Sequence, residues 1–351
     1  MANARPTSGG PATGSAGAEP PLLSVRNLSL DFGSPKGRVH ALRDVSLEVP
    51  KGRIVGIVGE SGCGKSTLAS AIIRLLAANA EVVGGSVEFE GQDLMALSER
   101  KMRDLRGRRM SMIFQDPMTA LNPVRTIEAQ MLDIQYREPA DEQEKRRRAI
   151  AMLDTVGIPD PANRLKAYPH QFSGGMRQRI CIAMALLVEP ALVLADEPTT
   201  ALDATLEVQI VNLLKRLQAE MGCSVMFVSH HLGTVAELCD DVVVMYAGEV
   251  VESGPVRDIF RNPGHPYTQA LLACDPGRIK QKTRELPTIP GEVPNLVSVP
   301  HGCIFKSRCR EVHDRCEAEV PGVHPVSNER HRAKCHLREP GKAATRAEAK
   351  A

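Results

Sequence analysis

Tryptophan is missing from the 351 residues, and aromatic residues make up only 3%. Stacking platforms for single-stranded nucleic acid are therefore scarce. A charge bias is missing too: 44 Lys and Arg stand against 42 Asp and Glu, so no basic field points to a polyanion. No apolar run approaches the roughly 20 residues that a membrane-spanning helix needs. Residues 1–21 are rich in Ala, Gly, Pro, Ser and Thr and lack the apolar centre of a secretory signal. They are expected to form a disordered tail. The chain reads as cytosolic, one large or two smaller domains, reaching a membrane only through a partner. Its nine cysteines contain no C-x2-C pair, the mark of typical zinc ribbons, and a cytosolic setting disfavours a disulfide framework.

What is present is concentrated in a few short segments. Gly59-Glu60-Ser61-Gly62-Cys63-Gly64-Lys65-Ser66-Thr67 matches the phosphate-binding pattern G-x-x-x-x-G-K-[ST]. Residues 54–58 before it read as a buried strand and residues 67–73 after it as a helix. Glycines let successive backbone N–H groups turn around a phosphate chain. The helix N-terminus adds donors and a partial positive charge. Lys65 is expected to reach the β- and γ-phosphates of ATP and Ser66 to ligate Mg²⁺. Gly59, Ser61, Gly62, Cys63, Gly64, Lys65, Ser66 and Thr67 are thus the first candidate nucleotide residues.

The remaining candidates follow in chain order. A strand is expected over 22–32, a loop over 32–37 and a strand over 45–49. Phe32 is open to two readings, a ring stacked on adenine or a strand-end core residue. Residues 110–113 form a β-run that leads to Gln115, either a turn residue or a Mg²⁺ ligand that positions the attacking water. Residues 126 to about 172 read as helical, opened by a capping box of Asp141 and Glu144. Lys145-Arg146-Arg147-Arg148 reads as a solvated helix face. Ser173-Gly174-Gly175 opens an apolar helix and forms a second anion site. Two phosphate sites in one chain imply a nucleotide clamped between surfaces. The apolar strand 191–195 ends on Asp196-Glu197. Asp196 is expected to hold Mg²⁺ through water, and Glu197 to polarise the attacking water. Asp203 lies in the next loop. A strand over 223–228 ends in Ser229-His230-His231, where His230 is the candidate for contacting the γ-phosphate and orienting Glu197. A hairpin around Gly248 closes the series.

Together these segments resemble the ATPase subunit of an ABC transporter, over about residues 22–275. The resemblance implies an α/β P-loop NTPase with a RecA-like core, an antiparallel β subdomain and a helical subdomain. Gly59–Thr67 corresponds to its Walker A loop and Gln115 to its Q-loop. Ser173-Gly174-Gly175-Met176-Arg177-Gln178 resembles its signature, with Phe172 in place of Leu and Met176 in place of Gln. Asp196 and Glu197 correspond to its Walker B aspartate and catalytic glutamate, Asp203 to its D-loop and His230 to its switch histidine. The family implies a head-to-tail dimer with ATP between one subunit's phosphate loop and the other's signature helix. A soluble ABC ATPase acting on DNA or ribosomes is the rival reading. Only 57 residues separate Gln115 from Ser173, too few for the long coiled coil of DNA-repair members, and there is one ATPase domain rather than two.

The C-terminal part narrows the resemblance. Residues 261–272 (RNPGHPYTQALL), Ile289-Pro290-Gly291 and Gly302-Cys303-x-Phe305-x-x-Arg308-Cys309 resemble the tail of oligopeptide/dipeptide importer ATPases of the D-type. That implies a second ATPase subunit of the F-type, two membrane permease subunits and an extracytoplasmic peptide-binding protein. It also implies a place on the cytoplasmic face of the membrane. Similar subunits serve nickel or glutathione uptake. Cys303, Cys309, Cys316 and Cys335 are spaced C-x5-C-x6-C-x18-C. Four thiolates suit Zn²⁺ or a [4Fe–4S] cluster, and free thiols are a third reading. The missing C-x2-C weighs against zinc, and the resemblance implies the cluster. The expected division is a tail (1–21), an ATPase domain (22–275), a four-cysteine domain (276–338) and a second tail (339–351).

Overall fold

A computed structural model describes residues 19–200, 202–275, 277 and 287–340. Most of the two expected tails, Ala201 and the expected domain boundary at residue 276 lie outside the described residues. The chain forms two sheets. In the smaller one, β1 (Leu23–Ser34) lies antiparallel between β2 (Gly37–Val49) and β4 (Ala80–Phe89), and β4 carries the short β5 (Gln92–Asp93). The expected loop over 32–37 is only a tight turn. Ser34 pairs with Gly37, Gly37 takes φ 119°, and Pro35 presets the first turn dihedral. β2 accordingly starts eight residues earlier than the apolar run at 45–49.

The larger sheet runs from Val323–Asn328 (β11) through His331–Lys334 (β12), Glu249–Pro255 (β10), Asp241–Tyr246 (β9), Ile54–Val58 (β3), Ser224–Val228 (β8) and Leu192–Asp196 (β7) to Met110–Ile113 (β6). Its parallel centre comprises β3 (Ile54–Val58), β6 (Met110–Ile113), β7 (Leu192–Asp196), β8 (Ser224–Val228) and β9 (Asp241–Tyr246). Every residue of β3, β7 and β8 is buried, as parallel strands covered on both faces must be. Alternation divides β3 between two cores: Ile54 and Val58 join one, Val55 and Ile57 the other. Register decides where the chemistry lies. Ile57 pairs with Val228, Asp196 with Val228, and Ile113 with Ala195. The carboxyl ends of four strands therefore finish level, and the phosphate loop, Asp196-Glu197, Ser229-His230 and Gln115 all leave from that edge. Open parallel sheets bind ligands there.

The expected hairpin around Gly248 joins β9 to β10 (Glu249–Pro255), with Ala247 at φ 46° and Gly248 at φ 86°, the two positive values of a type I′ turn. A second hairpin, β11 (Val323–Asn328) and β12 (His331–Lys334), extends the sheet by pairing β12 with β10. The buried Glu252 of β10 fixes it there. Its carboxylate lies 2.7 Å from His331 Nε2 and accepts the Gly264 and His265 backbone N–H groups at 2.6 and 2.8 Å. The expected helical stretch 126–172 is instead broken into helices Ile127–Ile134, Glu142–Thr155 and Pro161–Arg164 and a single turn Pro169–Gln171. Gly157 at φ 77° stops the longest of them, and Asp160 at φ 50° precedes the next. The capping box is half formed: Asp141 accepts the Glu144 N–H at 2.8 Å, while the Glu144 side chain turns to Arg147 and Arg148. Ion pairs with Glu142, Glu144 and Glu138 hold the basic run on the surface. No helix among the described residues is long and apolar enough to cross a membrane.

Candidate nucleotide site

The phosphate loop closes tightly on the sheet. A Cβ at Gly59, where φ is 153°, would come 2.1 Å from the Met245 carbonyl oxygen, and one at Gly64, at φ 102°, 2.9 Å from that of Ala41. Only glycine fits both places. Helix Lys65–Ile72 starts at Gly64. Lys65 is buried, and its Nζ donates to the carbonyl oxygens of Gly59 and Glu60 at 2.9 and 3.0 Å. Ser61, Gly62 and Ser66 are exposed. Cys63 is buried, and burial pushes its thiol pKa up. Its backbone N–H donates to the Glu60 carbonyl at 3.2 Å.

Two carboxylates face this loop. Ser66 Oγ donates to Asp196 Oδ1 at 2.9 Å. Asp196 is buried, and burial raises its pKa, opposed by the Ser66 hydrogen bond. A hydroxyl and a carboxylate held together are hard oxygen donors suited to Mg²⁺. Glu197 stands at φ 45°, a left-handed conformation that costs a non-glycine residue about 1–3 kcal/mol. Its N–H is tied to the Val228 carbonyl at 3.0 Å. Its Oε2 accepts from Gln115 Nε2 at 3.2 Å and Thr200 Oγ1 at 2.9 Å, and lies 3.2 Å from His230 Nδ1. Its Oε1 lies 4.0 Å from Lys65 Nζ. One carboxylate thus gathers Gln115, His230 and Lys65. His231 pairs with Glu207 at 2.9 Å.

Other candidates lie apart from this group. Ser173 caps helix Gly174–Leu186 by accepting the Met176 N–H, and Asp203 caps helix Ala204–Met221 by accepting the Leu206 N–H. No hydrogen bond or ion pair among the described residues joins Ser173, Gly174, Gly175 or Asp203 to the phosphate loop or to Glu197. Phe32 is half-buried on β1 opposite Val39 and Ala80, against the core of the smaller sheet. The neighbouring His40 of β2 pairs with Asp31 at 2.8 Å.

The four late cysteines gather in one region. Cys303, Cys316 and Cys335 are buried and Cys309 is half-buried. The Cys303 N–H donates to the Cys316 carbonyl at 2.8 Å. Burial, with a smaller push from the neighbouring thiols, raises the Cys303 thiol to about 12 and the Cys309 thiol to about 11. Among the described residues, no group of three or more His, Cys, Asp or Glu side chains converges closely enough to hold one metal ion.

Comparison with known proteins assigns the ancestry. Residues 42–200 match the family described as ABC transporter, and residues 251–316 match the oligopeptide/dipeptide transporter C-terminal region. The chain is 45% identical over 317 residues to the probable D,D-dipeptide transport ATP-binding protein DdpD of Escherichia coli, covering 90% of this chain and 96% of that one. It is 47% identical over 320 residues to the dipeptide transport ATP-binding protein DppD of Bacillus subtilis, covering 91% and 95%.

The chain is an ABC transporter ATP-binding subunit. Its ATPase fold resembles the dimeric ATP-binding cassette MJ0796 bound to ADP and Pi, with a TM-score of 0.60 and 28% identity over 67% of this chain and 99% of that one. ATP is the nucleotide of such an ATPase. Three contacts of this ABC ATPase escaped the sequence reading. Thr200 binds the Glu197 carboxylate; its position three residues on, past Pro198, was the available signal. The others are Tyr267, whose hydroxyl accepts the Glu60 N–H at 2.9 Å, and Arg308, which pairs with the Glu60 carboxylate. Both lie more than 200 residues from the loop, and nothing local marks them as its neighbours.

Proposed function

We propose that this subunit hydrolyses ATP to drive uptake of di- or oligopeptides, with Glu197 as general base. The observation that carries the catalytic part is the single carboxylate, Glu197, contacted by Gln115 and His230 beside Lys65. In this reading Lys65 and the backbone of Gly59–Thr67 hold the phosphates. Glu197 takes the proton of the attacking water, Gln115 positions that water, and His230 orients Glu197 and bonds the γ-phosphate. Ser66, Gln115 and Asp196 hold Mg²⁺, which neutralises phosphate charge when bound. Peptides are favoured over nickel or glutathione by the similarity to the two dipeptide transport proteins. Purified transporter in vesicles tests the proposal through ATP turnover stimulated by peptide.

Ser173, Gly174, Gly175 and Asp203 act across a head-to-tail dimer on the ATP held by a second, F-type ATPase subunit. Their separation from this chain's own phosphate loop supports that. Two permease subunits dock beside Gln115, where a mostly apolar groove of 280 Å³ is lined by Leu75, Phe114, Leu121, Ile134 and Met184. Phe114 and Leu75 are exposed there. An extracytoplasmic peptide-binding protein delivers substrate, and the subunit sits on the cytoplasmic membrane face. The proposed division is an ATPase domain (22–275) and a four-cysteine domain (276–338); the C-terminal family match, 251–316, spans their boundary.

Phe32 is proposed to stack on adenine. Phe32→Ala is expected to weaken ATP binding by about 1–3 kcal/mol, the usual worth of a base on an aromatic ring. Unchanged affinity by equilibrium dialysis would return Phe32 to the core. Cys303, Cys309, Cys316 and Cys335 are proposed to hold a [4Fe–4S] cluster. The reading rests on the resemblance of residues 302–309 to the importer tail and on the gathering of the four cysteines in one region. Such a cluster would crosslink residues 303–335 and hold the segment folded. Protein purified without oxygen is expected to contain about four irons and four sulfides per chain. Zinc alone, or no metal, would remove the cluster and leave the ATPase reading intact.

A further inference from the structure

Glu60, the second residue of the phosphate loop, is gripped from the far end of the chain. Arg308 Nη1 donates to Glu60 Oε2 at 2.7 Å and Arg308 Nη2 to Glu60 Oε1 at 3.0 Å, a bidentate pair. The same guanidinium donates through Nε to the Pro290 carbonyl at 2.9 Å, through Nη2 to the Ile289 carbonyl at 3.1 Å, and through Nη1 to the Tyr246 hydroxyl at 3.3 Å. All five N–H donors of the arginine are therefore matched, and its side chain is only 4% exposed. Glu60 is fixed at its backbone as well, because its N–H donates to the hydroxyl of the fully buried Tyr267. Tyr246, Tyr267 and Phe305 pack around this junction with ring centroids 4.7–5.3 Å apart. A chain poor in aromatics thus spends three of them here.

The connections run in one line. Arg308 precedes Cys309 and lies between it and Cys303 in the sequence. Its carboxylate partner Glu60 offers its own carbonyl to Lys65 Nζ. No step of ATP hydrolysis uses Arg308 or the Glu60 side chain. A buried bidentate pair is also an expensive way to gain stability, since desolvation offsets much of the attraction. What the pair does supply is a fixed position for the loop.

We propose that Arg308 is a positioning residue for the phosphate loop, through which the folded four-cysteine segment sets this subunit's affinity for ATP. The proposal rests on ATP occupying the loop and does not depend on what the cysteines hold. It predicts a coupling between two parts of one chain that are 248 residues apart. Loss of the segment's fold lowers nucleotide affinity before it touches any residue that contacts the reacting atoms.

The test is a double-mutant cycle on the full-length chain, read as the ATP dissociation constant with Mg²⁺. Glu60→Gln keeps the shape of the half-buried loop residue and removes its charge. Arg308→Ala removes the partner. Each single change is expected to weaken ATP binding by about 5- to 150-fold, the usual size of coupling between sites. The double variant should be little worse than either single one, and the swap Glu60→Arg with Arg308→Glu should recover part of the loss. A merely structural arginine would show that coupling in the melting temperature while the ATP dissociation constant of the folded variants stayed at the parent value. If Arg308→Ala does not fold, Glu60→Gln decides alone, with its melting temperature as the control. A folded Glu60→Gln that binds ATP like the parent, or single effects that simply add, would overturn the proposal. Absence of ATP binding in the parent chain would instead defeat the assignment of the loop itself.

Discussion

Glu197→Gln is expected to slow ATP hydrolysis in the assembled transporter by about 10²–10⁴-fold, the usual contribution of a positioned general base, while ATP still binds. The amide keeps the size of the side chain and can still receive the Thr200 hydroxyl, which now donates to Oε2 at 2.9 Å. It cannot accept a proton from water. It also removes the charge that faces Lys65 at 4.0 Å and His230 at 3.2 Å, so affinity for the polyanionic nucleotide is expected to hold or rise. The strained φ of 45° belongs to the backbone and is retained. Single-turnover hydrolysis and a binding titration on the same preparation separate the two effects. Turnover within a few-fold of the parent would remove Glu197 as the base and direct attention to another acceptor near Gln115.

Lys65→Ala acts on the other half of the process and is expected to cost about 2–5 kcal/mol in ATP binding, the range for truncating one member of a buried charge pair. Lys65 is buried at the start of a helix, and its Nζ hydrogen-bonds the Gly59 and Glu60 carbonyls and, weakly, the Cys63 sulfur. In the proposed complex a phosphate oxygen takes the place of one of these neutral acceptors. Without the ammonium, phosphate charge is met by backbone N–H groups, the helix end and the bound Mg²⁺. The same change frees Glu197 from its cationic neighbour, so residual turnover should fall along with binding. ATP affinity measured by equilibrium dialysis gives the answer, and a change under threefold would place the phosphates elsewhere. The two variants should therefore separate: Glu197→Gln traps nucleotide, whereas Lys65→Ala fails to take it up.

The candidate site was readable because each of its pieces is local. The loop Gly59–Thr67 carries its own strand and helix within some twenty residues, and Asp196-Glu197 ends a strand whose five residues are all buried. Choosing His230 over His231 needed only its place at a strand end, and the structure puts His230 beside Glu197 and His231 beside Glu207. Elements set by distant partners were not readable. β2 extends to Gly37 because β1 is there to pair with it, although Arg38 and His40 interrupt any apolar pattern. The breaks within 126–172 come from left-handed residues such as Asp160 and from caps, against a helical average. β12 joins β10 through Glu252 and His331, 79 positions apart, and Arg308 meets Glu60 across 248. Such pairings depend on the fold of the whole chain, and no local pattern encodes them.

The most direct measurement of the central claim is uptake of a labelled dipeptide into vesicles that hold the assembled transporter, with ATP supplied on the side of this subunit. ATP-dependent accumulation is expected, together with ATP turnover that rises when peptide and its binding protein are present. Both should be lost when Glu197→Gln is introduced in this chain. Uptake that continues undiminished in that variant, or turnover indifferent to peptide, would contradict the claim that hydrolysis at this site drives peptide import.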